Sequence, residues 1–306
     1  MENRRSFLKK AALAGAGFSF LPKTLNLLTP AKPLFSLAQW SLHRAFHSGE
    51  LAAADFPLIS KNQFDIDAVE YVNSFYADKK KDSAFWNEML NKTKSEGIKN
   101  LLIMVDAEGE LGNANSTARK QAVQNHFGWV DIAAKLGCHS IRVNAFGDEN
   151  KTAIKNALVD GLGSLCEYSE KAKINVVIEN HGLYSSDADF VVEVIKAVDN
   201  PYMGTLPDFG NWCTSELWGS TNGENCKTAY DHVQGVKKFM PYAKGVSAKT
   251  YDFDAQGNQP KLDYKTMLQA VKDASYSGHI GIEYEGENLS EAEGIKASKR
   301  LIERLW

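Results

Sequence analysis

The run Ile174-Asn175-Val176-Val177-Ile178, which stops abruptly on Glu179-Asn180-His181-Gly182, restricts the fold of this chain more than any other segment. A branched apolar run of this length reads as a strand covered on both faces, as in a parallel sheet. The pattern recurs: Met203-Gly204-Thr205-Leu206-Pro207 ends on Asp208, and His279-Ile280-Gly281-Ile282 ends on Glu283 and Glu285. Acids at the C-terminal ends of three separate parallel strands imply one converging carboxylate site.

Apolar runs bounded by turn chemistry predict eight strands, at about 34–42, 65–73, 99–106, 138–145, 174–181, 203–209, 244–250 and 279–285. Helical spacing lies between them. Thr117 to Leu136 stops at Gly137, and Ile154 to Ala172 behaves similarly. Asp189 to Val198 opens with an aspartate cap, and Asp263 to Ala274, Ser290 to Leu305 and a weaker Tyr230 to Phe239 complete the set. Eight alternating units over residues 34–306 predict a single-domain α/β protein, a closed (β/α)8 TIM barrel. No G-x-G-x-x-G follows the first strand, so a dinucleotide-binding sheet loses its main support. The polar stretch Trp218 to Asn225 reads as a long loop after the sixth strand, on the rim of a site.

The first 33 residues belong to another class. Arg4-Arg5-Ser6-Phe7-Leu8-Lys9-Lys10 precedes a weakly apolar Gly/Ala-rich run to Leu21, the pattern of a twin-arginine export signal followed by a linker. This predicts an exported, periplasmic protein. No later apolar run approaches the ~20 residues that span a bilayer, so no membrane span is expected once the signal is removed. Residues 1–33 hold six of the 35 Lys+Arg and one of the 38 Asp+Glu, which leaves 29 against 37 in the remainder. So acidic a remainder disfavours nucleic acid as a partner. Cys138, Cys166, Cys213 and Cys226 fit no metal-ligand spacing. Cys213 and Cys226, thirteen apart in one loop-like region, are either plain thiols or a bridge that an oxidising compartment permits.

Residues two apart on a strand share a face. If Ile174, Val176 and Ile178 face the helices, then Val177, Glu179 and His181 face the barrel axis and climb toward its mouth. The pairs Arg142/Asn144, Ser247/Lys249 and Glu283/Glu285 close their strands in the same way. Each also has a plainer reading. Asp208 can cap the following turn through an Asx interaction, and His181, Arg142 and Asn144 can be structural. Glu285 can sit above the site as a partner of Lys249. The remaining histidines are scattered and read as structural or exposed.

At Ile178-Glu179-Asn180-His181-Gly182, Leu206-Pro207-Asp208-Phe209-Gly210-Asn211, Pro241-Tyr242-Ala243-Lys244 leading to Ala248-Lys249, and Gly281-Ile282-Glu283-Tyr284, the chain resembles the xylose isomerase-like TIM barrel superfamily, particularly its sugar phosphate isomerase/epimerase-type proteins. The resemblance implies a divalent metal held by Glu179, Asp208 and Glu283, with Glu179 and Glu283 also moving protons on opposite faces of a sugar. His181, Lys249, Arg142, Asn144, Ser247 and Glu285 would contact substrate. The pattern departs from the family at Ser247, where relatives commonly carry histidine. Without that nitrogen, an all-carboxylate site favours Mn²⁺ or Mg²⁺, and loss of the metal stays open. The implied activity is isomerisation or epimerisation of a keto-sugar through an enediolate. A lyase acting on 3-keto-glycosides or inosose-like polyols uses the same first step, and a carbohydrate-binding barrel without catalysis is the remaining alternative. The expected partner is a small carbohydrate.

Overall fold

The computed structural model describes residues 32–306, so the expected export signal falls almost entirely outside the described residues. Eight parallel strands appear where the apolar runs placed them: β1 (Leu34–Ala38), β2 (Ala68–Val72), β3 (Lys99–Val105), β4 (Ser140–Val143), β5 (Asn175–Glu179), β6 (Met203–Leu206), β7 (Val246–Thr250) and β8 (His279–Tyr284). Their hydrogen-bonded order is β6-β5-β4-β3-β2-β1-β8-β7. The two ends of that order meet through a parallel bridge between Asp208 and Ser247, with backbone bonds from Ser247 to Pro207 (2.9 Å) and from Phe209 to Ser247 (3.0 Å). The sheet is thereby curled into a TIM barrel.

The described α-helices are α1 (His43–Ser48), α2 (Phe56–Phe64), α3 (Ser83–Ser95), α4 (Ser116–Leu136), α5 (Lys151–Ser169), α6 (Ala188–Val198), α7 (His232–Phe239), α8 (Tyr264–Asp273) and α9 (Glu291–Leu305). Asn115, Asn150, Asp231 and Asp263 each accept backbone N–H groups at a helix start, and Ser290 with Glu293 forms a capping box. The cap of α6 is Asp187 rather than Asp189, whose carboxylate turns outward to Tyr230 and Lys238. The periodicity reading passed over α1 to α3. Only Trp86, Met89 and Thr93 of α3 are buried, a stripe too thin to dominate its polar surroundings.

Strand alternation divides the core as expected. Val176 and Ile178 pack between barrel and helices, while Val177 joins Ala38, Val72, Leu102, Met104 and Leu206 in a separate apolar cluster inside the barrel. The strands are shorter than the apolar runs. Gln39–Leu42 winds into a 3-10 turn after β1, and Asn180 and His181 leave the ladder to serve the barrel mouth.

The long loop after β6 is fastened at both ends. Cys213 and Cys226 form a disulfide, while Cys138 and Cys166 are buried free thiols. Cys213 also pairs with Ala229, and Leu217 bridges back to Gly182. Gly182 has φ +101°, and a Cβ there would lie 2.3 Å from the Glu216 carbonyl, so only glycine admits the loop. Closing a loop of this size stabilises a fold by up to about 3 kcal/mol. Reduction, or Cys226→Ser, is expected to lower the calorimetric melting temperature and to open the 213–226 segment to protease, and unchanged melting and cleavage would show that the backbone bonds suffice.

Candidate active site

The polar strand ends converge at one mouth of the barrel. Glu179, Asp208 and Glu283 are buried, and each offers a carboxylate oxygen within 4.8 Å of the others. Three strands supply them because the inward face of β5, the residue two beyond Leu206 at the end of β6, and the inward face of β8 all point to the axis at this level. Arg142, His181, Lys249 and Glu285 line the same cavity of about 510 Å³, so most residues singled out in the sequence meet here.

On the β4 side, the Arg142 guanidinium donates to Asp106 Oδ1 at 2.6 Å and lies beside Glu179, with Nε 2.8 Å from Oε2. The second contact is off the N–H axis and is a charge pair without an aligned hydrogen bond. Asn144 donates its amide N–H to Asp106 Oδ1 (2.7 Å) and turns its oxygen to Arg142 (3.3 Å) and to His181 Nδ1 (2.8 Å). That orientation makes His181 Nδ1 the protonated nitrogen and leaves Nε2 as an acceptor. Burial, reinforced by the Arg142 charge, holds His181 well below the usual imidazole range. Burial alone would raise Asp106, but Arg142, His181 and the bonds from Arg142 and Asn144 outweigh it and hold the carboxyl at about 2. Burial also opposes the Arg142 charge, which Asp106 and Glu179 keep in place.

On the β7 side, Ser247 Oγ lies 2.6 Å from Asp208 Oδ2 and 2.8 Å from Glu283 Oε2. One hydroxyl donates one proton, so the second short contact requires a proton on a carboxyl. Glu283 is the group disposed to carry it. Burial pushes its carboxyl up to about 7, against the pull of Lys249 and with help from Asp208 and Glu285. Burial likewise raises Glu179 well above the ordinary carboxylate range despite Arg142, and raises Asp208 despite Lys249 and Ser247. Lys249 Nζ stands 3.1 Å from Glu285, 3.6 Å from Glu283 and 4.0 Å from Asp208, and donates to Asn211 Oδ1 at 3.2 Å. Burial would lower the ammonium, but these carboxylates raise it well above its usual value, so it remains charged. Asp208 divides its carboxylate between two settings. Oδ1 caps the turn by accepting from Gly210 (2.7 Å) and Asn211 (2.8 Å), while Oδ2 faces the site.

Sequence reasoning missed Asp106, Asn211 and Trp40, and placed Trp218 only within the loop expected at the rim of the site. Asp106 carried the same signal as the others, an acid closing the apolar run of β3, but nothing paired it with Arg142 before the strands were assembled. Trp218 stands over the cavity, edge-on to His181 (5.0 Å) and Phe146 (5.6 Å), and Trp40 donates its indole N–H to Glu285. His47, read as structural or exposed, lies at the cavity rim.

A further carboxyl sits inside the barrel toward its opposite end. Ser36 donates to Glu70 Oε1 at 2.6 Å, whereas Oε2 is buried without a partner. Burial pushes this group from 4.5 up to about 7, opposed by the Ser36 bond. A carboxyl raised in the folded state binds its proton more tightly there, so its contribution to stability is lost as pH rises from about 4.5 to about 7. Glu70→Gln should therefore gain on the wild type through that window and level off near pH 7 at about 3 kcal/mol, measured by urea unfolding; a pH-independent difference would refute the assignment.

The donor set fits a metal ion. Three buried carboxylates converge, Glu179 Oε2 lacks an aligned hydrogen bond, and oxygen-only ligands suit a hard divalent cation. Among the described residues no helix is long and apolar enough to cross a membrane.

No curated protein matches this sequence. Solved structures share its fold at low identity. The apo 3-keto-D-glucoside 4-epimerase YcjR of E. coli superposes with a TM-score of 0.63 at 13% identity, covering 82% of this chain and 94% of that one. A D-tagatose 3-epimerase-like protein gives 0.66 at 17%, covering 89% and 96%. The IOLI protein, solved with a zinc atom, gives 0.65 at 15%, covering 89% and 97%. The xylose isomerase-like TIM barrel profile matches residues 62–305, which carry β2 through β8 and all of the converging acids, and the chain belongs to that family.

Proposed function

We propose that this protein epimerises or isomerises a keto-sugar by moving a proton at the carbon beside the carbonyl. The observation that carries this reading is the pair Glu179 and Glu283, on different strands of one cavity, both raised toward the range in which a carboxyl exchanges protons near neutral pH. Glu179 takes the proton from the α-carbon, the C–H electron pair moves into an enediolate, and Glu283 returns a proton to the opposite face; the reverse assignment is equivalent. Lys249, held charged by its acidic neighbours, and His181 stabilise the developing oxyanion and orient hydroxyl groups. Arg142, fixed by Asp106, holds the Glu179 carboxylate in place.

Glu179, Asp208 and Glu283 would hold a divalent ion, Mn²⁺ or Mg²⁺, which when bound polarises the carbonyl and stabilises the enediolate. Ser247 joins two of these acids and supplies no nitrogen, which supports the oxygen-preferring metals over zinc. In deuterated water, a panel of free keto-sugars and 3-keto-glycosides should incorporate solvent deuterium at one carbon. Glu179→Gln and Glu283→Gln should each slow exchange about 10²–10⁴-fold, and full exchange in either variant removes the mechanism. Loss of a β-substituent in place of reprotonation would mark the lyase alternative. Calorimetry should show weak Mn²⁺ binding in the wild type and higher Zn²⁺ affinity in Ser247→His. Absence of metal binding, with activity that survives chelation, would leave Lys249 and His181 as the stabilising groups.

We further propose that the protein acts outside the cytoplasm. The Arg4-Arg5 leader and the Cys213–Cys226 bridge both agree with export to an oxidising compartment. Cell fractionation should recover a shortened extracytoplasmic protein, and replacing both arginines with lysine should retain the precursor inside; unaffected export would rule out the twin-arginine route.

A further inference from the structure

The cavity that holds the acids continues sideways. A second groove of about 1040 Å³ runs along the mouth between the segment after β1 and the loops after β6 and β8. Trp40, Ser220 and Glu285 line both spaces, so the groove begins where the cavity of about 510 Å³ ends. One sugar ring reaching the acids of the central cavity would leave the larger space empty. From this geometry, and resting on the keto-sugar reading above, we infer that the substrate is a glycoside: the keto-sugar ring sits in the central cavity and a second sugar unit lies in the groove.

The lining supports this ligand class over a phosphorylated sugar. Four glutamates, Glu50, Glu285, Glu287 and Glu291, face the groove, against the single permanent cation Arg44 in its lining. The Arg44 guanidinium already donates to the Gly286 carbonyl at 2.9 Å and its Nε stands 3.7 Å from Glu291. A phosphate needs convergent, uncommitted cations, and the groove would repel it. Hydroxyl groups meet suitable partners instead. Asn222 and Ser48 offer neutral donors and acceptors along the walls, and the Trp40 side chain supplies aromatic surface for the C–H face of a ring. Trp40 is held in position by its bond to Glu285 and by His43 stacked on it at 4.8 Å. The indole therefore forms a fixed partition between the two subsites.

The test compares a free 3-keto-hexose with a disaccharide carrying the same keto-hexose at its non-reducing end, followed by solvent deuterium exchange in the full chain. The wild type should show a kcat/KM at least tenfold higher for the disaccharide. Asn288, exposed on the groove wall, is the position at which to fill the space. Asn288→Trp should erase that preference through KM while the free sugar changes less than twofold. Equal use of both substrates by the wild type, or a preference that survives Asn288→Trp, overturns the inference. If neither substrate exchanges deuterium, the proton-transfer reading fails separately. Calorimetry of the disaccharide with wild type and Asn288→Trp then decides the groove alone, since binding lost in the variant supports it and equal or absent binding refutes it.

Discussion

Two permanent cations and five carboxyl groups share the mouth of this barrel, and every other feature of the site adapts to that imbalance. Asp106, Glu179, Asp208, Glu283 and Glu285 surround Arg142 and Lys249, both cations buried. Carboxylates brought this close cannot all remain ionised without a counter-charge. The structure meets the excess with two kinds of device. Near Arg142 the charge is localised, so that Asp106 stays ionised and anchors a rigid network. Around Ser247 the charge is shared, with one hydroxyl between two acids and one ammonium near three. The first half of the mouth is fixed by directed contacts to Arg142, and the second shares its charge among Asp208, Glu283, Glu285 and Lys249.

The strands were legible because each carries a branched apolar run closed by polar residues, and side-chain alternation then assigned Val177 and Glu179 to the barrel axis without any knowledge of the helices. Convergence of Glu179, Asp208 and Glu283 followed from the same rule. What could not be read was lateral. Asp106 and Arg142 are distant in sequence and meet only because β3 and β4 pair in register, Met104 against Arg142. Trp218 stands over the cavity through a loop whose course is set by a disulfide and by a glycine at positive φ, and loops of this kind leave no periodic trace. The helices α1 to α3 were passed over for a related reason, since their buried stripes are short and embedded in polar sequence.

Ser247 shows how little of a site's chemistry resides in any one side chain. A histidine at this position would bring a nitrogen ligand into the cluster. The hydroxyl found here instead spans Asp208 and Glu283 and holds them at hydrogen-bonding separation from a common atom. The acids are therefore preorganised by a small neutral group, and the cationic part falls to Lys249 on the same strand, two residues away.

Asp208 and Ser247 are also the residues at which the sheet closes on itself. The backbone bonds that join the end of β6 to β7 run from Ser247 to Pro207 and from Phe209 to Ser247, on either side of Asp208 and beside the contact between the Asp208 and Ser247 side chains. Barrel closure and assembly of the acidic cluster thus share one seam, so a change at either residue touches the topology of the sheet and the chemistry of its mouth together.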